Sequence, residues 1–332
     1  PEVRASGARK GRRGRRIAIR RAATLSRRSR RKSSSLRHGI ARLWRAFFLT
    51  SRKRQTAYEP ISGDLTRRLC YNTPMNLKTV VKYLLITFAI TYVCWWGVAL
   101  LVAYTDFVYG DALPTVIYVI GNFGPALAAL CCIDERPYLR SLKKFMFSYQ
   151  KRGIWVFLFF VILVALTFGL SSMEWNPQMT VLNFVLSLLG STFIYGGEEE
   201  LGWRGILQPI LSKKITFPLA SLACGVIWAL WHLPLWFIEG HPNQAMPFWI
   251  QATLGIFLCF WLGIIYERSG SLLLCMLFHG LTNVLLSSFV LKVNWILILG
   301  IALTTAVAIV LWLLDGKRAK APRDQSSDET SS

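Results

Sequence analysis

Eight long apolar runs constrain the fold of this chain more than any other feature of its sequence. About 20 apolar residues in a helix cross the hydrocarbon core of a bilayer, where lipid offers no partner to an unpaired backbone group. The sequence therefore predicts an all-α polytopic membrane protein of about eight transmembrane helices, and it excludes a soluble globular enzyme. The runs cover residues 79–104, 113–132, 154–171, 180–197, 217–237, 248–266, 271–291 and 293–314.

Basic residues are concentrated before the first apolar run. Residues 1–70 contain 22 of the 39 Lys and Arg residues but only 3 of the 17 acidic residues. A segment this basic cannot bury a core. We therefore predict a disordered basic tail over residues 1–74, a membrane domain over 75–315 and a polar cytoplasmic tail over 316–332. The basic tail is interpreted as a patch for anionic lipid, as a transit peptide, or as an over-extended start ahead of Met75; no nucleic acid partner is favoured.

The charges of the loops predict how the membrane domain is oriented. Loops rich in Lys and Arg face the cytoplasm in membrane proteins. Basic loops alternate here with loops that carry only acidic residues, and Lys292 is the single exception. We therefore expect both termini on the cytoplasmic side, in a multi-pass protein of a prokaryotic plasma membrane. The loops with acidic residues only are 105–112, 172–179 and 238–247, and the basic segments are 133–153, 213–214, Arg268 and the C-terminal tail.

A few ionisable residues remain inside or beside the apolar runs. At the centre of a membrane helix such a residue costs about 2.5–3.5 kcal/mol on insertion scales, so each one is a candidate for function. The candidates form three groups along the chain. They are Glu198, Glu199, Glu200 and Arg204, then His232, then His279 with Asn283.

The glutamate group follows two glycines at 196–197. If residues 198–208 are helical, Glu200 and Arg204 are four residues apart on one face and form an ion pair. Glu199 then projects about 100° away, where an unpaired carboxylate in an apolar setting serves as a general base or acid. An interfacial acidic cluster beside Arg204 is the alternative interpretation.

The two histidines each have a partner one helical turn away. His232 follows Trp228 by four residues, and His279 precedes Asn283 by four. An imidazole supplies a base, a donor or a metal ligand, and the amide of Asn283 supplies donors for a developing oxyanion. Ordinary packing and interhelical hydrogen bonds explain each histidine equally well when it is taken alone. His241 lies in a proline-containing loop and is expected to be solvated.

These three groups together resemble the motifs of the CPBP intramembrane protease family, which includes type II CaaX prenyl endopeptidases and bacterial immunity-type proteins. The family pattern EExxxR corresponds to residues 199–204, the aromatic-xxx-His pattern to Trp228 and His232, and HxxxN to His279 and Asn283. The resemblance covers residues 75–315. It implies eight helices around a polar cavity that opens to the cytoplasmic side and to the bilayer.

The resemblance also implies an endopeptidase that hydrolyses a peptide bond near the cytoplasmic membrane face. Glu199, helped by His232, would activate water, and His279 with Asn283 would stabilise the oxyanion. Glu200 and Arg204 would hold the site in shape. No cofactor is favoured, but a zinc-dependent version held by Glu199, His232 and His279 is the alternative within this class. The partners implied are a peptide or membrane-protein substrate, which some family members take in lipidated form, and the bilayer itself.

Two further classes of function remain open at this stage. The same pocket would serve a non-catalytic membrane protein that binds a peptide or assembles a partner. A secondary transporter is a weaker alternative, because the sequence shows no obvious internal repeat. The seven cysteines include no CxxC pair and are interpreted as small apolar fillers.

Overall fold

The computed structural model describes residues 77–132, 146, 151–171, 174–290 and 293–320. The chain divides into two units, Pro1–Glu59 and Pro60–Ser332, and all described residues belong to the second unit. The predictions for the tails at 1–74 and beyond residue 320 lie outside these residues.

The described residues form a helical membrane protein, as the apolar runs predicted. Seven helical segments are long and apolar enough to cross a membrane, and the shorter apolar helix Leu272–Ser288 corresponds to the remaining predicted span. The helices are α1 Leu77–Tyr104, α2 Ala112–Asn122, α3 Gly124–Cys132, α4 Lys151–Leu170, α5 Val181–Phe193, α6 Glu200–Gly202, α7 Gln208–Ser212, α8 Phe217–Trp231, α9 Phe248–Ser269, α10 Leu272–Ser288 and α11 Trp295–Lys320.

The second predicted span is interrupted in the structure at Phe123, where α2 ends and α3 begins. Two residues account for the break. Pro125 has no backbone N–H to continue the helical ladder, and Gly124 packs directly against Thr91 of α1. The interruption brings the end of α2 into the interior of the protein, where Asn122 is 3% exposed.

The fourth predicted span, 180–197, is longer in the structure and carries a break in its middle. The candidate span runs over Val181–Ser212, but α5 ends at Phe193 and helical structure resumes only at Gly197. Thr180 caps the start of α5 by accepting a hydrogen bond from the backbone N–H of Asn183. The break places polar backbone and three glutamates deep in the protein, which membranes tolerate only where the groups are enclosed by protein.

The sequence analysis separates the last two predicted spans, 271–291 and 293–314, by Lys292 alone, whereas the structure places a short strand between their helices. α10 ends at Ser288 and is followed by the two-residue strand β2, Phe289–Val290. β2 pairs antiparallel with β1, Glu174–Trp175, which follows the C-terminal end of α4. Lys292 itself lies outside the described residues, and α11 begins at Trp295.

Glycines allow the helices around the site to approach closely. A Cβ on Gly225 of α8 would lie 2.7 Å from the Cα of Ile256 on α9. Gly255 of α9 packs in the same way against the indole ring of Trp228, and Gly280 of α10 packs against Thr192 of α5. Small residues at helix crossings are typical of membrane proteins, where close van der Waals packing drives association.

Candidate active site

The break in the fourth span is built around Gly196. Its φ of 141° belongs to a region that favours glycine. The chain then forms a 3₁₀ turn over Gly197–Glu199, the α-helical residues Glu200–Gly202 and a π-helical turn over Trp203–Leu207. π-helical turns inside helices occur frequently at functional sites, where they redirect side chains. This segment turns consecutive glutamates toward different partners.

Glu200 forms the ion pair with Arg204 that its spacing predicted. Arg204 Nη1 lies 3.0 Å from Glu200 Oε2, and both side chains are buried. Glu200 also receives a hydrogen bond from His279 on α10, because His279 Nδ1 lies 2.7 Å from Glu200 Oε1. Glu200 therefore joins the first and third motifs of the sequence.

Glu199 projects away from that pair, again as predicted, but its partners are two indole rings. Its Oε2 accepts hydrogen bonds from Trp228 Nε1 at 2.6 Å and from Trp203 Nε1 at 3.2 Å. The carboxylate is 2% exposed. It is thus oriented by two neutral donors.

His232 lies at the end of α8 beside the same tryptophan. Its Nδ1 donates a hydrogen bond to the carbonyl oxygen of Trp228 at 2.9 Å, so the neutral ring keeps a lone pair on Nε2. The rings of His232 and Trp228 are 4.4 Å apart, and those of Trp228 and His279 are 5.6 Å apart. Trp228 therefore contacts both histidines and Glu199, which brings the three motifs together around one indole.

His279 and Asn283 face the glycine turn. A Cβ built on Gly196 would lie 2.6 Å from Asn283 Nδ2 and 3.3 Å from His279 Nε2. Asn283 Nδ2 is also 3.5 Å from the carbonyl oxygen of Tyr195, a long hydrogen bond. The absence of a side chain at Gly196 therefore leaves the Nε2 atom of His279 and the Nδ2 atom of Asn283 next to the buried backbone of Gly196.

Asn122 is a site residue that the sequence analysis missed. Its Nδ2 donates to the carbonyl oxygen of Ile194 at 2.8 Å and to Oε1 of Glu198. The other oxygen of Glu198 accepts from the backbone N–H of Gly196 at 2.9 Å. Asn122 and Glu198 thus tie both sides of the break together. The sequence did offer one signal for this residue: Asn122 is a polar residue inside an apolar run, just before Gly124 and Pro125.

His241 was expected to be solvated, and that expectation is wrong. The side chain is 5% exposed and contacts Tyr109 and Tyr118, with ring centroids at 4.9 and 5.5 Å. Its Nδ1 accepts a hydrogen bond from the N–H of Asn243 at the start of a 3₁₀ turn. Burial lowers the pKa of His241 to about 4. The loop sequence gave no sign of this because Tyr109 and Tyr118 come from a distant segment.

The residues described by the structure contain no group of three or more His, Cys, Asp or Glu side chains arranged to hold a metal ion. The set Glu199, His232 and His279, considered from the sequence for zinc, meets around the indole of Trp228.

Fold and site together define a polytopic membrane protein with an enclosed carboxylate–histidine site. Residues 181–285 match the family model described as type II CAAX prenyl endopeptidase Rce1-like. A protein of Methanococcus maripaludis named "CAAX prenyl protease 2" is 30% identical over 139 residues, which cover 38% of this chain and 48% of that relative. The chain spans about half the length of this curated relative. All three motifs lie within the residues that are similar to this family model.

Proposed function

We propose that this protein is an intramembrane endopeptidase that hydrolyses a peptide bond with Glu199 as the general base. The observation that supports this most directly is the convergence of Glu199, His232 and His279 on the indole of Trp228. A general base must be held in a fixed orientation within reach of water and substrate. Two indole N–H groups hold the Glu199 carboxylate while leaving its second oxygen for a water molecule.

His232 assists at the same place. Because its Nδ1 donates to a backbone carbonyl, its Nε2 is the atom that accepts a proton or a hydrogen bond from the attacking water. In this proposal Glu199 takes a proton from water as the hydroxyl attacks the peptide carbonyl, and that proton then passes to the leaving amine. The peptide bond breaks and the products are a carboxylate and an amine.

His279 and Asn283 stabilise the negative oxygen that forms during the attack. Asn283 offers Nδ2–H groups at the face of the Gly196 turn. His279 already donates through Nδ1 to Glu200, so its Nε2 donates to an oxyanion only when the ring carries a second proton. The Glu200 carboxylate fixes the orientation of the His279 ring through Nδ1, which gives Glu200 a role in addition to its pair with Arg204.

The position of the site within the membrane spans limits the class of substrate. A peptide bond that reaches this site belongs to a peptide or a membrane protein held at the bilayer, because the site lies within the spans. The name of the Methanococcus relative extends this proposal to lipidated CaaX-type tails as candidate substrates. Anionic lipid as a partner of residues 1–74 remains a separate proposal from charge alone.

The test compares peptide termini in membranes from cells that express wild type or Glu199→Gln at equal abundance. We expect a set of termini that is present with wild type and absent with the variant. Glu239→Gln provides the matched control, because Glu239 is an exposed glutamate in the loop after α8. Its termini should equal those of wild type.

Two results would count against the proposal. If folded Glu199→Gln yields the wild-type termini, Glu199 is not the base. If wild type and a strain lacking the protein yield the same termini, the pocket binds a peptide or a partner without cleaving it. Cleavage that a chelator abolishes and Zn²⁺ restores would favour the metal-dependent version.

A further inference from the structure

Two buried thiols lie where α8 and α9 pack closely against each other. Cys224 of α8 is 0% exposed, and Cys259 of α9 is 1% exposed. A Cβ built on Gly225, next to Cys224, would lie 2.7 Å from the Cα of Ile256, which is one helical turn before Cys259. The thiols of Cys224 and Cys259 are hydrogen-bonded to each other across this contact, and neither is part of a disulfide.

The contact between α8 and α9 suits a disulfide between these two residues. A disulfide requires two Cα atoms about 4.4–6.8 Å apart, a separation that closely packed helices provide. The glycine contact supplies that packing, and the hydrogen bond shows that the two sulfurs already face each other. Oxidation therefore needs no rearrangement of the fold. It brings two neighbouring sulfurs closer together and shifts α8 against α9.

Arg204 gives one of these thiols a charged partner. Its guanidinium is buried and is hydrogen-bonded to Cys259. The ion pair with Glu200 uses Nη1 of Arg204, and within the described ranges no oxygen atom accepts a hydrogen bond from Nε or Nη2. A cation beside a thiol increases the reactivity of its sulfur toward oxidants. The sequence analysis interpreted all seven cysteines as apolar fillers, but a filler needs no partner of this kind.

The thiol pair lies one helical turn from the residues that orient Glu199. Trp228, whose indole donates to Glu199, follows Cys224 by four residues on α8. The ring of Trp228 packs on Gly255, which precedes Cys259 by four residues on α9. Residues four apart lie on the same face of a helix, so the two pairs are successive layers of one interface. A shift of the helices at the cysteines therefore moves Trp228 and the carboxylate that it orients.

We propose that Cys224 and Cys259 form a reversible disulfide in the presence of hydrogen peroxide and that this bond switches the site off. Hydrogen peroxide is small and uncharged, and local openings of the helix contact admit it. The sulfur of Cys259 attacks one peroxide oxygen, which gives a sulfenic acid and one molecule of water. The sulfur of Cys224 then attacks the sulfenic sulfur, so that the S–S bond forms and a second water leaves.

The two thiols thus lose two electrons and two protons to the peroxide, and a dithiol reverses the reaction by thiol–disulfide exchange. Formation of the disulfide does not depend on the proposed function. Only its effect on turnover rests on that function.

The experiment treats the full-length protein in membranes with hydrogen peroxide and then blocks the remaining thiols with N-ethylmaleimide under denaturing conditions. Mass spectrometry of the digested chain detects peptides joined through Cys224 and Cys259. Turnover is measured on the same samples before and after addition of dithiothreitol. Cys224→Ala removes one partner of the bond, and Cys224→Ser serves the same purpose if the alanine variant does not fold. Cys275→Ala is the matched control, because Cys275 is also 0% exposed but its Sγ donates to the carbonyl oxygen of Leu262.

We expect peroxide to produce the cross-linked peptide in wild type and in Cys275→Ala. Turnover of both should fall about 100-fold, because a displacement of about 1 Å in an active site has an effect of this size. Dithiothreitol should remove the cross-link and restore turnover. Folded Cys224→Ala should form no cross-link and keep its turnover in peroxide.

Three results would overturn the proposal: no cross-link in wild type, a cross-link that leaves turnover unchanged, or an equal loss of turnover in folded Cys224→Ala. A cross-link in a protein that cleaves no peptide even when it is reduced would support the disulfide and refute the peptidase proposal alone.

Discussion

Replacing Trp228 with Phe tests whether the Glu199 carboxylate is held for catalysis. The change keeps an aromatic ring between His232 and His279 but removes the Nε1–H that lies 2.6 Å from Glu199 Oε2. A hydrogen bond to a charged group contributes about 1.5–3 kcal/mol, and 1.4 kcal/mol corresponds to a factor of ten. We therefore expect Trp228→Phe to reduce kcat/KM roughly 10- to 150-fold.

The matched control is Trp261→Phe. Trp261 is also buried, and its Nε1 donates at 3.0 Å to Thr305 on α11, away from the glutamates. Both variants lose the same atoms from a packed interior, so their effects on thermal stability in detergent should be similar. The assay is turnover of a substrate peptide identified from the termini. Equal activity losses in the two variants would refute the argument that the indole of Trp228 orients Glu199.

Three further perturbations follow from the site. Gly196→Ala adds a Cβ 2.6 Å from Asn283 Nδ2 at a φ of 141°. We expect the strain to lower the free energy of unfolding by about 1–3 kcal/mol and to abolish turnover. A fully active variant would contradict the geometry. Asn122→Ala removes the donor shared by Ile194 and Glu198. The kcat should fall with little change in KM. A change in KM alone would mean that the hydrogen bonds of Asn122 position the substrate instead. The pKa of His241 is lowered from 6.5 to about 4, so the unfolded chain takes up a proton first as pH falls and stability decreases between those values. The melting temperature of His241→Phe should depend less on pH over this range, and an unchanged profile would show that His241 does not contribute.

The contacts within one helix were predictable from the sequence, because the helical repeat fixes them. The spacing of Glu200 and Arg204 predicted their ion pair, and the same spacing placed Glu199 on another face. The family pattern then predicted that His232 and His279 come together, although α8 and α10 are separated by a complete membrane span. Without the family pattern, no physical rule applied to the sequence predicts that His232 and His279 lie close together.

Contacts between distant segments were not predictable from the residues. Asn122 and Glu198 are 76 residues apart, and their hydrogen bond depends on how the break at Phe123 orients the end of α2. The burial of His241 depends in the same way on Tyr109 and Tyr118. Apolar runs set the number of spans because lipid requires helices, but breaks inside a span depend on tertiary contacts that satisfy the freed backbone.

Glu199 and Glu200 have different bonding partners. We therefore expect substitutions of Glu200 to reduce stability strongly, and substitutions of Glu199 to reduce activity with little effect on stability. Glu200 is bonded to Arg204 and His279, so Glu200→Gln leaves a buried guanidinium without its charged partner. Breaking a buried pair in this way costs about 3–5 kcal/mol. Glu199 is bonded by the neutral indoles of Trp203 and Trp228, and the amide oxygen of Glu199→Gln can still accept from one of them.

We therefore expect Glu200→Gln to lower the melting temperature in detergent markedly, and Glu199→Gln to leave it close to that of wild type while abolishing turnover. Replacing both members of the ion pair, as in Glu200→Leu with Arg204→Met, should recover much of the stability because no charge is left unpaired. Turnover should stay absent in this double variant, since His279 has lost the carboxylate that orients its ring. Recovered turnover in the double variant would show that Glu200 acts on folding alone, whereas a large loss of stability in Glu199→Gln would mean that its indole contacts hold the break closed.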